Sequence, residues 1–186
     1  MHNGRDKGLG FYPFCIGNRD EKRINDNKMS SADKNLSDFI AKNLPDISHK
    51  KFAIVVSEWN EEITSALYEG AYNTLLVYGA KEENIIKVEV PGSFELSLGS
   101  QKYAQRDDID AVIALGCVIQ GDTKHFDFIC QAVAMGITEV NLKYNKPVIF
   151  GVLTPNTMQQ ALDRAGGIHG NKGDEAAFTA IKMLGI

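Results

Sequence analysis

The chain predicts a three-layer α/β/α sandwich built on a four-stranded parallel, flavodoxin-like sheet. Three observations carry that expectation: four short, β-branched, nearly all-apolar runs, an amphipathic stretch after each, and glycine, proline or asparagine at the junctions. Strands apolar on both sides need cover on both faces, and parallel neighbours need the crossover helices that supply it.

The first strand is expected over 52–57. Residues 61–78 then carry Ile63, Ala66, Leu67, Ala71, Leu75 and Leu76 at helical spacing before Gly79 stops the helix. A second strand over 84–90 closes at Pro91-Gly92 and leads into a helix over 94–104. The third strand, 111–119, has scarcely a polar residue and precedes a long helix over 123–144, with Asp122 and Thr123 as expected caps and His125 in the first turn. The fourth, 147–153, is followed by helices over 157–164 and 172–184 with a glycine-rich break between them. Residues 1–50 are polar and charged without a clear period and read as a poorly ordered arm ahead of a domain over 51–186. Within that arm Leu36, Phe39, Ile40 and Leu44 recur at helix-like spacing, and Met29 is an alternative start that would make 1–28 an extension.

A length of 186 residues fits one domain and a tail. The net charge of −4, with no run of Lys and Arg longer than two, argues against nucleic acid and against an anionic membrane as partners. Cys15, Cys117 and Cys130 form no C-x-x-C, so neither a metal site nor a disulfide framework is indicated. Cys117 and Cys130 read as small buried apolar groups in a reducing compartment. No apolar run reaches the length of a membrane span, and the expected location is the cytoplasm.

In a parallel sheet the carboxyl ends of all strands feed one rim, where ligands bind. The stretch Gly-Cys-Val-Ile-Gln-Gly-Asp-Thr-Lys-His-Phe-Asp (116–127) brings a helix N-terminus, suited to an anion, and a titratable imidazole to that rim. Trp59, the only tryptophan, sits in a polar turn after the first strand, where its face could stack on a flat heterocycle or pack as a lid on its own domain. Ser93 and Glu95 could bind hydroxyls, although Glu95 is equally explained by the helix dipole. Arg164 opens the glycine-rich break at 164–173 and can aim a guanidinium at a phosphate, or simply favour a helix C-terminus. His2, His49 and His169 read as solvent-exposed. No G-x-G-x-x-G follows a strand and no Walker loop is present, which weakens dinucleotide and nucleotide triphosphate readings.

Five separated motifs then resemble one family: Phe-Ala-Ile-Val-Val-Ser-Glu-Trp-Asn (52–60), Val-Pro-Gly-Ser-Phe-Glu (90–95), the 114–127 segment, Pro-Val-Ile-Phe-Gly-Val-Leu-Thr (147–154) and the glycine-rich 164–173. In that order, over about 51–186, they are similar to the 6,7-dimethyl-8-ribityllumazine synthases. The resemblance implies condensation of 5-amino-6-(D-ribitylamino)uracil with 3,4-dihydroxy-2-butanone 4-phosphate, the penultimate step of riboflavin synthesis, with no metal or redox cofactor. It implies that Trp59 stacks on the pyrimidinedione, that Ser93, Phe94 and Glu95 hold the ribityl chain and ring edge, and that the backbone of Cys117, Val118 and Ile119 binds the uracil. Asp122 and Thr123 would cradle the butanone phosphate with Arg164 as cationic partner, and His125 would donate the proton. Phe150 and Lys172 would serve a neighbour's ligand, so the resemblance implies a homo-oligomer. Its form would be a pentamer, with a 60-subunit shell favoured and an N-terminal edge strand passed between subunits. Association with riboflavin synthase is a further partner the resemblance admits. Two positions depart from the common pattern: Asp122 puts a carboxylate near the phosphate, and Ile168 stands where a lysine is usual. A non-catalytic flavin or lumazine binder and a generic FMN module remain as alternatives.

Overall fold

The computed structural model describes residues 44–186. One parallel sheet is formed by β1 (Phe52–Ser57), β2 (Ile85–Val90), β3 (Ala111–Cys117) and β4 (Val148–Leu153), in the order β2-β1-β3-β4. Every residue of β1 and β3 is buried, which is why neither run shows polar alternation. Phe52 lies opposite both Ile85 and Ala111, and Ala114 lies opposite Phe150.

Helices α1 (Glu61–Val77), α2 (Leu96–Ala104), α3 (His125–Tyr144), α4 (Met158–Asp163) and α5 (Lys172–Met183) cover the sheet on both faces, as the sequence predicts. Alternate strand residues feed two cores, the period-two signature of a pleated strand. Ile54, Val56, Ile113 and Leu115 pack with Leu67 and Leu75 of α1 and with Ala177 and Ile181 of α5. Ala53, Val55, Val112 and Ala114 meet Leu96 of α2 and Val133, Ile137 and Val140 of α3. Helices α1 and α5 approach closely, since a Cβ at Gly173 would run into the Leu67 carbonyl oxygen. Asn171 fixes that contact: its side-chain oxygen accepts from Gly173 N–H and its amide donates to Ala66 O, both at 2.8 Å.

Three local expectations change. The glycine-rich break is a small antiparallel hairpin of β5 (Ala165–Gly167) and β6 (Gly170–Asn171), with Gly166 and Gly170 at φ 110° and 75° and Ile168 exposed between them. Helix α3 begins at His125, because Lys124 takes the cap position and neither Asp122 nor Thr123 caps through its side chain. Thr123 Oγ1 only accepts a long 3.4 Å bond from His125 N–H. The turn ahead of α2 is a short 3₁₀ segment, Ser93–Glu95.

Upstream of β1, Ile47 is fully buried and Leu44 packs against the same core. Lys50 Nζ and Lys51 N–H both donate to the Asp110 carboxylate, at 2.9 and 2.8 Å. The last residues of the polar arm therefore rest on the domain. Met29, Leu36, Phe39 and Ile40, and any donor of an edge strand upstream of residue 44, lie outside the described residues.

Candidate active site

The strand order reverses between β1 and β3, so the carboxyl ends of these two strands part and leave a crevice. Backbone bonds stitch its rim. Glu58 N–H donates to Val90 O at 2.8 Å and Trp59 N–H to Pro91 O at 3.2 Å, which ties the loop after β1 to the end of β2. Val118 N–H donates to Leu153 O at 2.8 Å and Gln120 N–H to Pro155 O at 3.0 Å, which ties the loop after β3 to that after β4. Asn60 bridges the two halves: its Nδ2 donates to Cys117 O at 2.9 Å while its left-handed backbone, φ 63°, turns the chain into α1.

The crevice holds a pocket of about 570 Å³, in the size range of small-molecule sites. Trp59 and Asn60 wall it from β1, and Gly92, Ser93, Phe94 and Glu95 from β2. Cys117, Val118 and Ile119 wall it from β3, and His125 and Ile129 from α3. Trp59 is 73% exposed and Phe94 54%, so both offer open aromatic faces instead of packing as lids. Burial, with Cys130 nearby, pushes the Cys117 thiol up to about 11, which keeps it protonated at neutral pH and a poor nucleophile. Cys130 is half-buried, a departure from the buried position expected of it, because it lies near the start of α3, where the helix meets solvent.

The other expected site residues stand apart. Arg164 lines a cavity of about 390 Å³ beyond β4 together with Asn156, Gln160, Asp163 and His169. Phe150 and Lys172 share a third cavity, about 310 Å³, in which Lys172 Nζ pairs with Glu175 Oε2 at 2.8 Å. Neither cavity has a residue in common with the first pocket. Asp122 and Thr123 are exposed and line none of the three.

Asn60 and Gly92, which the strand ends bring to the rim, also belong to the pocket wall, and so does Ile129, which was not singled out in the sequence. A signal existed for Ile129, four residues after His125 and so on the same helix face. His169 is exposed as expected, yet it also lines the Arg164 cavity. Among the described residues no three His, Cys, Asp or Glu side chains gather as a metal site, and no helix is long and apolar enough to cross a membrane.

A pocket of aromatic and apolar walls at the switch point of a parallel sheet, holding one imidazole and one carboxylate, is the kind of site in which α/β proteins bind small molecules. The family model described as 6,7-dimethyl-8-ribityllumazine synthase matches residues 49–186. A protein of that name from Cytophaga hutchinsonii is 66% identical over 156 residues, which is 84% of this chain and 98% of that protein. Others from Parabacteroides distasonis and Flavobacterium johnsoniae are 56% and 52% identical, over 84% and 85% of this chain and 98% and 83% of their own lengths. The chain belongs to the 6,7-dimethyl-8-ribityllumazine synthase family, condensing enzymes of the transferase class in riboflavin biosynthesis.

Proposed function

We propose that the chain condenses 5-amino-6-(D-ribitylamino)uracil with 3,4-dihydroxy-2-butanone 4-phosphate, releasing phosphate and water. The observation that carries this reading is the convergence of Trp59, Ser93, Phe94, Glu95 and His125 on one pocket in a chain of this family. Trp59 stacks on the pyrimidinedione, and Ser93, Phe94 and Glu95 hold the ribityl chain and ring edge. The backbone of Cys117, Val118 and Ile119 binds the uracil edge. The turn at Asp122 and Thr123, just ahead of α3, receives the phosphate.

The ring-bearing amine attacks the butanone carbonyl and water leaves, phosphate is then eliminated, and the ribityl-bearing nitrogen closes the second ring on the resulting carbonyl with loss of a second water. Several protons move in sequence, and His125 is the one imidazole on the pocket wall able to carry them. Holding two substrates in register is worth roughly 7–11 kcal/mol at best, more than proton transfer usually contributes. Stacking, the ribityl contacts and the phosphate clamp are therefore the larger part of catalysis.

The pocket itself has no Lys or Arg on its wall, while Arg164 and Lys172 line separate cavities. We assign Arg164, Phe150 and Lys172 to the ligand of an adjoining copy, which makes the working form a homo-oligomer. A pentamer is the smallest form we propose, and packing of twelve pentamers into a shell is its extension, with riboflavin synthase as a candidate associate. Residues 44–50, ahead of β1, rest on the domain. The low net charge and the free thiols fit the cytoplasm. The test is to mix purified protein with both substrates and follow lumazine fluorescence together with phosphate release. Release of neither product discards the reading, and tight flavin or lumazine binding without turnover replaces it with a binding role.

A further inference from the structure

Three buried side-chain oxygens lack a hydrogen-bond partner among the described residues: Ser57 Oγ, Ser93 Oγ and Ser100 Oγ. Two of them meet at one point. A Cβ built on Gly116 would lie 2.7 Å from Ser93 Oγ and 3.3 Å from Ser57 Oγ, with a Leu96 methyl at 2.8 Å. The pleat explains the meeting. Val56 is opposite Leu115 in the ladder, so Ser57 and Gly116 are the next residues of their strands and turn to the α2 face together. The 3₁₀ turn at Ser93 then folds over them.

Burial separates the two hydroxyls by task. Ser57 is 0% exposed and does not line the pocket, whereas Ser93 is 6% exposed and does. A buried hydroxyl without a partner costs free energy, so native structures satisfy such groups when the site is in use. Ser93 lies between the pocket and Ser57, on the pocket wall as a residue and beside Ser57 across Gly116, and a turn about its Cα–Cβ bond is what would bring its buried Oγ to a ligand. Ser93 Oγ is the polar atom that stands with Ser57 Oγ around Gly116. A group that both donates and accepts suits this arrangement, and the Glu95 carboxylate beside it accepts only. Hydroxyls of a polyol chain have that chemistry.

We propose that Ser57 is a positioning residue: it reaches the Ser93 hydroxyl over Gly116 through one bridging water, or directly once Ser93 turns toward a bound ligand, and so aims Ser93 at the polyol chain of the substrate. This rests on the reading of the pocket as the ribityl-binding site. Gly116 is part of the device, because any side chain there would displace the Ser93 hydroxyl.

The experiment is a double-mutant cycle on the full-length protein with Ser57→Ala and Ser93→Ala, read in kinetics and in thermal unfolding. Expected is a rise of about 3- to 10-fold in KM for the ribityl-bearing substrate in Ser57→Ala, the size of one lost hydrogen bond. The KM for the phosphate-bearing substrate stays put. A pyrimidine analogue without the polyol binds wild type and Ser57→Ala equally. The double variant is no worse than Ser93→Ala alone, and Gly116→Ala reproduces the selective rise. Equal rises in both KM values, or additive effects of the two serines, overturn the proposal. Coupling seen in unfolding but not in KM makes the pair structural only and overturns the positioning role. Wild type without turnover removes the functional reading instead, and the unfolding cycle then still decides whether the hydroxyls pair.

Discussion

The pocket between β1 and β3 and the cavities beside β4 differ in the charges on their walls. The first has two open aromatic rings, one imidazole and one carboxylate, and no cation on its wall; the second pair carries Arg164 and Lys172. A flat uncharged ring suits the first and an anion the Arg164 cavity, since Lys172 is already paired with Glu175. In the proposed reaction, ring recognition and anion recognition fall to separate surfaces of the chain, and that separation is our reason for proposing a site shared between copies.

The largest effect expected is at the imidazole. His125→Ala should lower kcat about 100-fold, the low end for a general acid–base group, with KM values little changed, as read by steady-state lumazine fluorescence. A variant with full kcat removes His125 from proton transfer and leaves the pocket a binding surface. Arg164→Ala should raise the KM for butanone phosphate by about 10-fold or more, as expected for a lost charge-assisted bond, and leave the ribityl substrate's KM alone. An unchanged KM there would dissolve the contrast between the two regions.

Mixing those two variants sharpens the comparison directly. If His125 and Arg164 of one site come from different copies, co-reassembled His125→Ala and Arg164→Ala subunits form about one intact site in four, and activity at low butanone phosphate climbs above that of either variant. If both residues serve the same chain's site, the mixture shows only the average of the two. Sedimentation of the active species as a monomer would also refute a shared site.

Much of this contrast was legible in the sequence, and the reasons differ by region. Strands β1 and β3 announce themselves because both faces are buried, leaving uninterrupted apolar runs. Trp59 and His125 were legible because a strand end followed by a polar turn fixes where they must sit. The start of α3 was less so: Asp122 and Thr123 look like caps, but Lys124 takes the cap position and the helix begins at His125. The β5–β6 hairpin hides in residues whose pairing depends on two left-handed glycines. Ile47, a lone apolar residue in a polar stretch, has no period to betray its burial. The hydroxyl pair at Gly116 depends on register between β1 and β3, which no local pattern encodes.

A smaller effect tests the aromatic wall. Trp59→Ala should weaken binding of the ribitylaminouracil about 3- to 10-fold in a fluorescence titration, the worth of one stacking contact, while a Phe replacement recovers most of it. Equal loss in Trp59→Ala and Trp59→Phe would mean that the indole acts through something other than its face.

The smallest effect concerns the pocket floor, where Cys117 presents its carbonyl to Asn60 while its side chain points into the core. Burial holds its thiol near 11, above the ordinary value of 9.0, so the folded state favours the protonated form. The sign follows: the thiol contributes its full share of stability below about pH 9, and that share is lost as pH rises through the folded value. Iodoacetamide at neutral pH should therefore modify Cys130, the more accessible of the two described cysteines, well before Cys117, with Cys117 labelling accelerating only toward pH 11. Mass spectrometry of peptides from the folded protein reads both rates. Rapid modification of Cys117 at pH 7 would show a floor open to solvent, and the close contact of Asn60 with the end of β3 would then fail to seal the crevice.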